Sequence, residues 1–390
     1  MPIKVFTGYS ITQDDVVYGI ITTNVDADAK HNKILFLSAD ESNYPNGFAA
    51  YVKLITNFEN IPNTPNGMRI FFLTSPLDLH FDYSLIKIDF RRKSLSEFAD
   101  LQKDHIDLYL TGKCTQDCIA CPQPRKARND IEPKDEALRI ANLLFDMRLH
   151  INISGGEPTF NKSYFIKVLT TLQNNSPKSS LQILTNSLSF SNKKYLDEIV
   201  KSGIIIKNLL FSIAIYGSDE IIQDRATKIK GSFNLLEKAV DNILEYGGKV
   251  ELRIVINKLN YKDLINISDL IISKYKSRIV RVVFMGIEMS GEAGVNQHLV
   301  WIPFGEHSQY LDPAIIRLLV NNFSVYLYNY PLCFLTKNLW SLSKDSISYW
   351  KKHFLIDCNK CIVQNKCPSF FESTIPYITK VYPIIDRKCV

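Results

Sequence analysis

The stretch His105-Ile-Asp-Leu-Tyr-Leu110-Thr-Gly-Lys-Cys114-Thr-Gln-Asp-Cys118-Ile-Ala-Cys121 decides the reading of the whole chain. An apolar run of strand length leads into a loop with cysteines separated by three and then two residues, and no fourth cysteine is nearby. A structural zinc site takes four protein ligands, usually as two short-spaced pairs, and an ordinary iron–sulfur cluster takes four cysteines. Three thiolates in one loop suit a cubane cluster whose fourth iron stays open to a substrate or cofactor. On spacing alone, an incomplete zinc knuckle completed by His105 or a distant cysteine also fits. A second motif, Gly155-Gly156-Glu157-Pro158, follows the apolar run Ile151 to Ile153. By itself it reads as a turn between a strand and a helix.

Taken together, in this order and each at a strand's C-terminal end, the two motifs resemble the radical S-adenosylmethionine (radical SAM) superfamily. The resemblance implies a [4Fe-4S] cluster on Cys114, Cys118 and Cys121, with S-adenosylmethionine chelating the open iron. It also implies cleavage of that cofactor by an electron from the reduced cluster, giving a 5′-deoxyadenosyl radical that abstracts hydrogen. An external donor of flavodoxin or ferredoxin type is then needed. Gly155 and Gly156 would let backbone approach the cofactor's amino group, Glu157 would support that site, and Pro158 closes the motif. Ser212 and Arg253 fall where related enzymes hold the cofactor's carboxylate, a group that an arginine fork bonds through both oxygens. Thr185, Asn186 and the strand end Met285-Gly286-Ile287-Glu288 are further candidates for the ribose, adenine or substrate pocket. One departure is Ala120, where the family commonly has an aromatic or large residue before the third cysteine.

Length and composition set the frame. A chain of 390 residues holds two or three domains, or one barrel with additions. No apolar run approaches a membrane span, and the N-terminus lacks a signal peptide's charged region and apolar core, so a soluble cytoplasmic protein is expected. The eight cysteines concentrate at 114–121 and 358–367, which speaks for metal or cluster ligation rather than a disulfide framework. A formal charge of +6, with both signs interspersed, describes a solvated surface better than a nucleic-acid groove.

Residues 1–104 read as a β-rich domain. Short apolar runs (Ile34 to Leu37, Ala49 to Ile55, Arg69 to Leu73, Ser84 to Phe90) alternate with turn chemistry such as Asn43 to Gly47 and Pro62 to Gly67. His31 and His80 are isolated there; the domain shields the barrel or offers an edge strand to a peptide. From His105 strands and helices alternate. Strands are expected at His105 to Leu110, His150 to Ser154, Leu181 to Leu184, Leu209 to Ile215, Val250 to Ile256 and Arg281 to Ile287. Helices are expected from Pro133 (Leu138, Ala141, Leu144, Phe145), from about Lys162, through Leu196, Ile199 and Val200, and from Ser232 to Gly247. Six βα repeats in series mean a parallel sheet, and the resemblance makes it a partial (β/α)6 TIM-type barrel with its chemistry at the strands' C-terminal ends. The expected division is 1–104, a barrel over 105–290, and a cysteine-containing domain over 291–390.

In that last region Cys358, Cys361 and Cys367 reproduce the two-then-five spacing of auxiliary-cluster (SPASM-like) domains in peptide-modifying radical SAM enzymes, with Cys333 as a fourth ligand. A fully ligated auxiliary [4Fe-4S] cluster would relay electrons or position substrate; structural zinc is the rival. Cys389 reads as a free thiol. The loop extended to Pro124, with Tyr330 to Cys333, Leu339-Trp340, Ser346 to Lys351 and Cys358 to Phe371, is similar to the His-Xaa-Ser system radical SAM maturases. Met285 to Gly291 fits the same picture, and the N-terminal piece matches near Arg91-Arg92. Ser369 departs from that pattern, which has glycine before the two phenylalanines. This resemblance implies a ribosomally synthesised precursor peptide as substrate, a crosslink or other side-chain change as product, and a second radical SAM maturase as a possible partner. The alternatives are a radical SAM enzyme acting on a small molecule or nucleotide, one oxidising a protein residue as sulfatase-maturating enzymes do, and a zinc-stabilised binding protein without catalysis.

Overall fold

The computed structural model describes residues 16–19, 37–40, 105–123, 136–143, 150–344, 346 and 352–385. Within 1–104 the strands Val16–Gly19 (β1) and Leu37–Asp40 (β2) pair antiparallel. The other N-terminal readings, His31, His80 and Arg91-Arg92 among them, lie outside the described residues, as do Pro133, Leu144, Phe145, Trp350 and Cys389.

The next strands are His105–Tyr109 (β3), His150–Ser154 (β4), Ser180–Thr185 (β5), Leu209–Ala214 (β6), Lys249–Val255 (β7) and Arg281–Met285 (β8). All six expected strands form, with ends shifted by one or two residues. Two more follow, Val325–Tyr328 (β9) and Ser343–Lys344 (β10), and hydrogen bonding runs β10-β9-β8-β7-β6-β5-β4-β3 through one open sheet of eight strands. Pairing is parallel in β3–β4, β4–β5, β6–β7, β7–β8, β8–β9 and β9–β10. An open parallel α/β sheet in chain order is the architecture of a partial TIM-type barrel.

The chain divides into two compact units, one holding the described residues up to Thr111 with 131–183 and 201–204, the other holding 112–130, 184–200 and 205 onward. In the first, β4 alternates: Ile151 and Ile153 are fully buried, while His150, Asn152 and Ser154 on the opposite face are half-buried. His150 bridges to β5, its ring nitrogens 2.7 Å from Ser180 Oγ and 2.7 Å from Gln182 Oε1. The helix Lys162–Asn175 is capped by Asn161, whose side chain accepts the Tyr164 N–H, and buries Phe165, Val168, Leu169 and Leu172.

The second unit repeats the alternation. Val250, Leu252 and Ile254 of β7 are fully buried on one face; Glu251, Arg253 and Val255 share the other. Beyond β6, the helix Ser232–Glu245 packs Leu236, Ala239, Val240 and Ile243 inward and closes at Gly247-Gly248 as expected. Its N-terminus is capped from a distance: the Asp224 carboxylate accepts the Gly231 N–H (2.5 Å), the Ser232 hydroxyl (2.8 Å) and the Phe233 N–H (3.1 Å). The helix Lys193–Lys201 buries Leu196 and Ile199, but Val200 is 48% exposed and belongs to the solvent side. Periodicity admits Val200 one position past Ile199; the helix turns it 100° away from the core. The helices Glu220–Thr227 and Phe304–Val320, with β9 and β10, are additions to the expected pattern. No helix of the described residues is long and apolar enough to cross a membrane.

Candidate active site and C-terminal cysteine cavity

The cysteine loop is fixed through its backbone. Asp117 N–H donates to Thr227 O (3.1 Å) and Ile119 N–H to Ala226 O (2.9 Å), so the loop satisfies carbonyls that the helix Glu220–Thr227 leaves open at its C-terminus. On the other side Cys121 O accepts the Ala293 N–H (3.0 Å), Ile119 O accepts the Asn296 amide (3.2 Å) and Pro122 O accepts the Ser290 hydroxyl (3.0 Å). Gly291 permits that approach. It has φ +53°, and a Cβ on it would stand 2.4 Å from Pro122 O and from the Gln123 carbonyl carbon. Ala120 is 7% exposed and packs with Ile119, Ile287, Met289, Ala293 and Val300, so its side chain serves this brace.

All three cysteines are half-buried free thiols. Gln116, itself buried, donates its N–H to Cys114 Sγ (3.4 Å) and accepts the Cys118 thiol on Oε1 (3.2 Å). The Asn186 amide reaches Thr115 Oγ1 (3.0 Å) and Cys114 Sγ (3.7 Å). The hydroxyl of Tyr216, just past β6, hydrogen-bonds Cys118. Burial raises its pKa well above the ordinary 10.0, and Cys118, Cys121 and Cys114 push it the same way.

In the first unit the GGEP motif folds onto the end of β3. Gly156 N–H donates to Thr111 O (2.7 Å), and a Cβ on Gly155 would lie 2.6 Å from that same oxygen, which excludes any side chain. Thr111 stands three residues before Cys114 in the chain. Glu157 is 0% exposed, so it is no surface glutamate; its Oε1 accepts the Thr159 hydroxyl (2.6 Å) and the Thr159 N–H (3.1 Å). Pro158 is buried beside it.

Ser212 and Arg253 come together on a residue that the motif search passed over. Glu251, fully buried on β7, accepts the Ser212 hydroxyl (2.7 Å) and Arg253 Nε (2.5 Å) on Oε1, and Arg281 Nε on Oε2. The signal was legible in Val250-Glu-Leu-Arg-Ile254, where charged residues alternate with apolar ones at strand period. Burial pushes the Glu251 carboxyl up, but Arg253 and Arg281 overcome it and hold it below the ordinary 4.5.

The C-terminal cysteines converge as well. Cys333, Cys358, Cys361 and Cys367 line one apolar cavity with Phe354, Val363 and Phe370 among its walls. The cysteines sit in or beside tight 3-10 turns, Leu332–Phe334, Ile356–Lys360 and Gln364–Lys366. Lys352–His353 (β11) pairs antiparallel with Phe370–Phe371 (β12) and clamps the segment. Burial drives the Cys333 thiol up to about 12 despite a backbone hydrogen bond to Tyr382, and Cys367, Cys358 and Cys361 reinforce the shift. Ser369 has φ +67°, a conformation that favours glycine, and its hydroxyl offsets this by donating to His353 O (2.5 Å). Trp340 donates its indole N–H to Leu335 O (3.3 Å). Among the described residues no three or more His, Cys, Asp or Glu side chains close around a single metal ion. The soft thiol donors of the Cys114, Cys118 and Cys121 loop are of the chemical type that an iron–sulfur group takes.

Residues 108–271 match the sequence profile of the radical SAM superfamily. Three solved structures are similar. Streptococcus suis SuiB bound to precursor peptide SuiA matches at 17% identity and TM-score 0.46, covering 57% of this chain and 48% of that one. SuiB bound to S-adenosylmethionine matches at 15% and 0.47, covering 73% and 76%. Native anSMEcpe with bound AdoMet matches at 12% and 0.50, covering 73% and 94%, and shares the fold. The chain thus spans about half the length of the peptide-bound SuiB chain. No curated protein matches this sequence.

Two outcomes follow from the site's construction. Gly291→Ala drives its Cβ into the Pro122 carbonyl; reconstituted iron at the Cys114–Cys121 loop is expected to fall at least several-fold while the C-terminal site loads normally, read by iron analysis alongside a Cys358→Ala control. Because the folded Glu251 value is depressed, its ionised network stabilises the fold fully above about pH 4.5 and fades as pH falls through the lower folded value. Glu251→Gln is expected to cost about 3 kcal/mol at pH 7, a gap that narrows as pH falls below the ordinary carboxylate range in urea unfolding.

Proposed function

We propose that this chain, a radical SAM protein through residues 108–271, is a maturase that modifies a residue of a ribosomally made His-Xaa-Ser-type peptide, most simply by crosslinking. The observation that carries the reading is the pairing, in one chain, of a braced three-thiol loop with a four-thiol apolar cavity. Cys114, Cys118 and Cys121 would hold a [4Fe-4S] cluster, with S-adenosylmethionine on its open iron. When bound, these groups supply an electron and a carbon radical able to take hydrogen from an unactivated position. The chain's own residues do the rest. Gly155 and Gly156 give backbone access to the cofactor's amino-acid end, Glu157 fixes that turn through Thr159, and Arg253 presents a guanidinium toward a carboxylate. Tyr216 and Asn186 hold the thiol loop in place.

Cys333, Cys358, Cys361 and Cys367 would hold a second, fully ligated cluster. Four cysteines around one apolar cavity would leave no open ligand position on either a four-iron cluster or a tetrahedral zinc ion. In a crosslinking reaction that cluster would accept the electron left after bond formation. The reading keeps the division into 1–104, 105–290 and 291–390, and it requires a flavodoxin- or ferredoxin-type donor in the same compartment, the cytoplasm.

Metal content tests the reading first. Anaerobically reconstituted protein is expected to hold about eight irons with matching sulfide; about four irons with one zinc would make the C-terminal site structural, and zinc without iron would overturn the radical mechanism. Cys361→Ala is expected to leave 5′-deoxyadenosine formation intact while peptide product falls at least tenfold, measured on the same reaction by chromatography. Loss of both activities together would remove the auxiliary site from the reaction and assign it to folding.

A further inference from the structure

Among the described residues, the half-buried face of β7, β8 and β9 carries more positive charge than Glu251 neutralises. Arg253 and Arg281 share one carboxylate, Glu251, each through Nε alone and each on a different oxygen. Their terminal nitrogens make no further hydrogen bond among the described residues. Lys344 adds a third cation at the open edge of the sheet. Tyrosine rings order these cations: Arg281 lies 5.4 Å and Lys344 5.6 Å from the Tyr326 ring centre, and Arg253 5.6 Å from that of Tyr328. Arg253 and Arg281 keep side-chain exposures of 20% and 22%, so the surplus charge faces reachable space rather than packed core. Three cations against one carboxylate leave a net charge of about +2, and a guanidinium whose fork is free is built to take a planar oxyanion.

Resting on the proposed function, we infer that Arg281, with Lys344 at its rim and Tyr326 as its floor, binds a carboxylate of the peptide substrate. Glu251 then acts as a partition. It occupies Arg253 on one oxygen and Arg281 on the other, so the cofactor side and the substrate side of the site each keep an open guanidinium end. Register supports the placement. Ser212 pairs with Glu251 and Glu251 with Arg281 across β6, β7 and β8, while Tyr216, which touches Cys118, lies four residues further along the β6 chain. Along β6 the charged layer therefore lies two residues before the strand's C-terminal end at Ala214.

The test titrates three short peptides into the reconstituted holoenzyme with S-adenosylmethionine and reads binding by ligand-observed NMR. Acetyl-Gly-Glu-Gly-amide carries a side-chain carboxylate, acetyl-Gly-Gly-Gly a terminal one, and acetyl-Gly-Gln-Gly-amide none. Binding of either acidic peptide at least tenfold tighter than the neutral one is expected, and the better of the two names the source of the carboxylate. Arg281→Gln is expected to abolish that preference. Lys344→Gln, at an exposed rim position, is expected to weaken it two- to threefold and keeps the test open if the Arg281 variant does not fold. Glu251→Gln is expected to strengthen it severalfold by removing the competing carboxylate, an outcome that a purely structural ion pair does not produce. Equal binding of all three peptides, or a preference that survives Arg281→Gln, overturns the inference. The titration reads binding and not turnover. Wild-type protein that binds acidic peptide but never cleaves the cofactor would overturn the proposed function alone, and the reverse result would overturn this inference alone.

Discussion

Two backbone hydrogen bonds, Asp117 N–H to Thr227 O and Ile119 N–H to Ala226 O, are what the site depends on. Three thiolates on an eight-residue loop repel one another, and nothing within the loop itself sets their geometry. The chain solves this by treating the loop as the missing continuation of a helix: the last carbonyls of Glu220–Thr227, which every helix leaves unsatisfied, find their donors there. The segment from Ser290 to Asn296 closes the opposite side through Pro122, Cys121 and Ile119. The shape of the loop is thus imposed from outside the motif, by main-chain groups of Glu220–Thr227 and Ala293 together with the Ser290 and Asn296 side chains and the close approach at Gly291.

The same logic explains how much the sequence disclosed. Strands were legible because their apolar residues alternate over five to seven positions, as in Lys249–Val255, and because each ends at turn chemistry. Cysteine spacing marked both thiol groups, and Cys333, Cys358, Cys361 and Cys367 line one cavity, while among the described residues no three such side chains close around a single metal ion. What escaped was the support. Glu220–Thr227 has a weak apolar face, burying Gln223 and Thr227 alongside Ala226, so periodicity does not announce it. β9 and β10 are too short to register as strands. The alternation of β7 marks Glu251 as a charged position on the face opposite Val250 and Leu252, but its meeting with Ser212 and Arg281 depends on register across three strands, which no local pattern encodes.

Ser369 shows a departure from a family pattern turning into a physical statement. The position expected to be glycine does adopt a positive φ, so the backbone demand is present even though the residue differs. A serine meets that demand because its hydroxyl reaches His353 O across the β11–β12 clamp. Ala120 is the converse case. The small residue is not a deficit at the cofactor but a fit to a packed cluster, where Met289 supplies the bulk.

The brace around the cysteine loop also fixes an order of events during synthesis. Ile119 and its partner Asn296 are 177 residues apart, so at ordinary elongation rates roughly ten to thirty seconds pass between the emergence of the loop and the emergence of the segment that closes it. Through that interval three thiols are translated, unbraced and open to oxidation or to the wrong metal. The C-terminal cavity faces a far shorter delay, because Cys333 and Cys367 are only 34 residues apart. A cell that makes this protein must therefore shield one thiol set until the segment from Ser290 to Asn296 has emerged, and the other for only a few seconds.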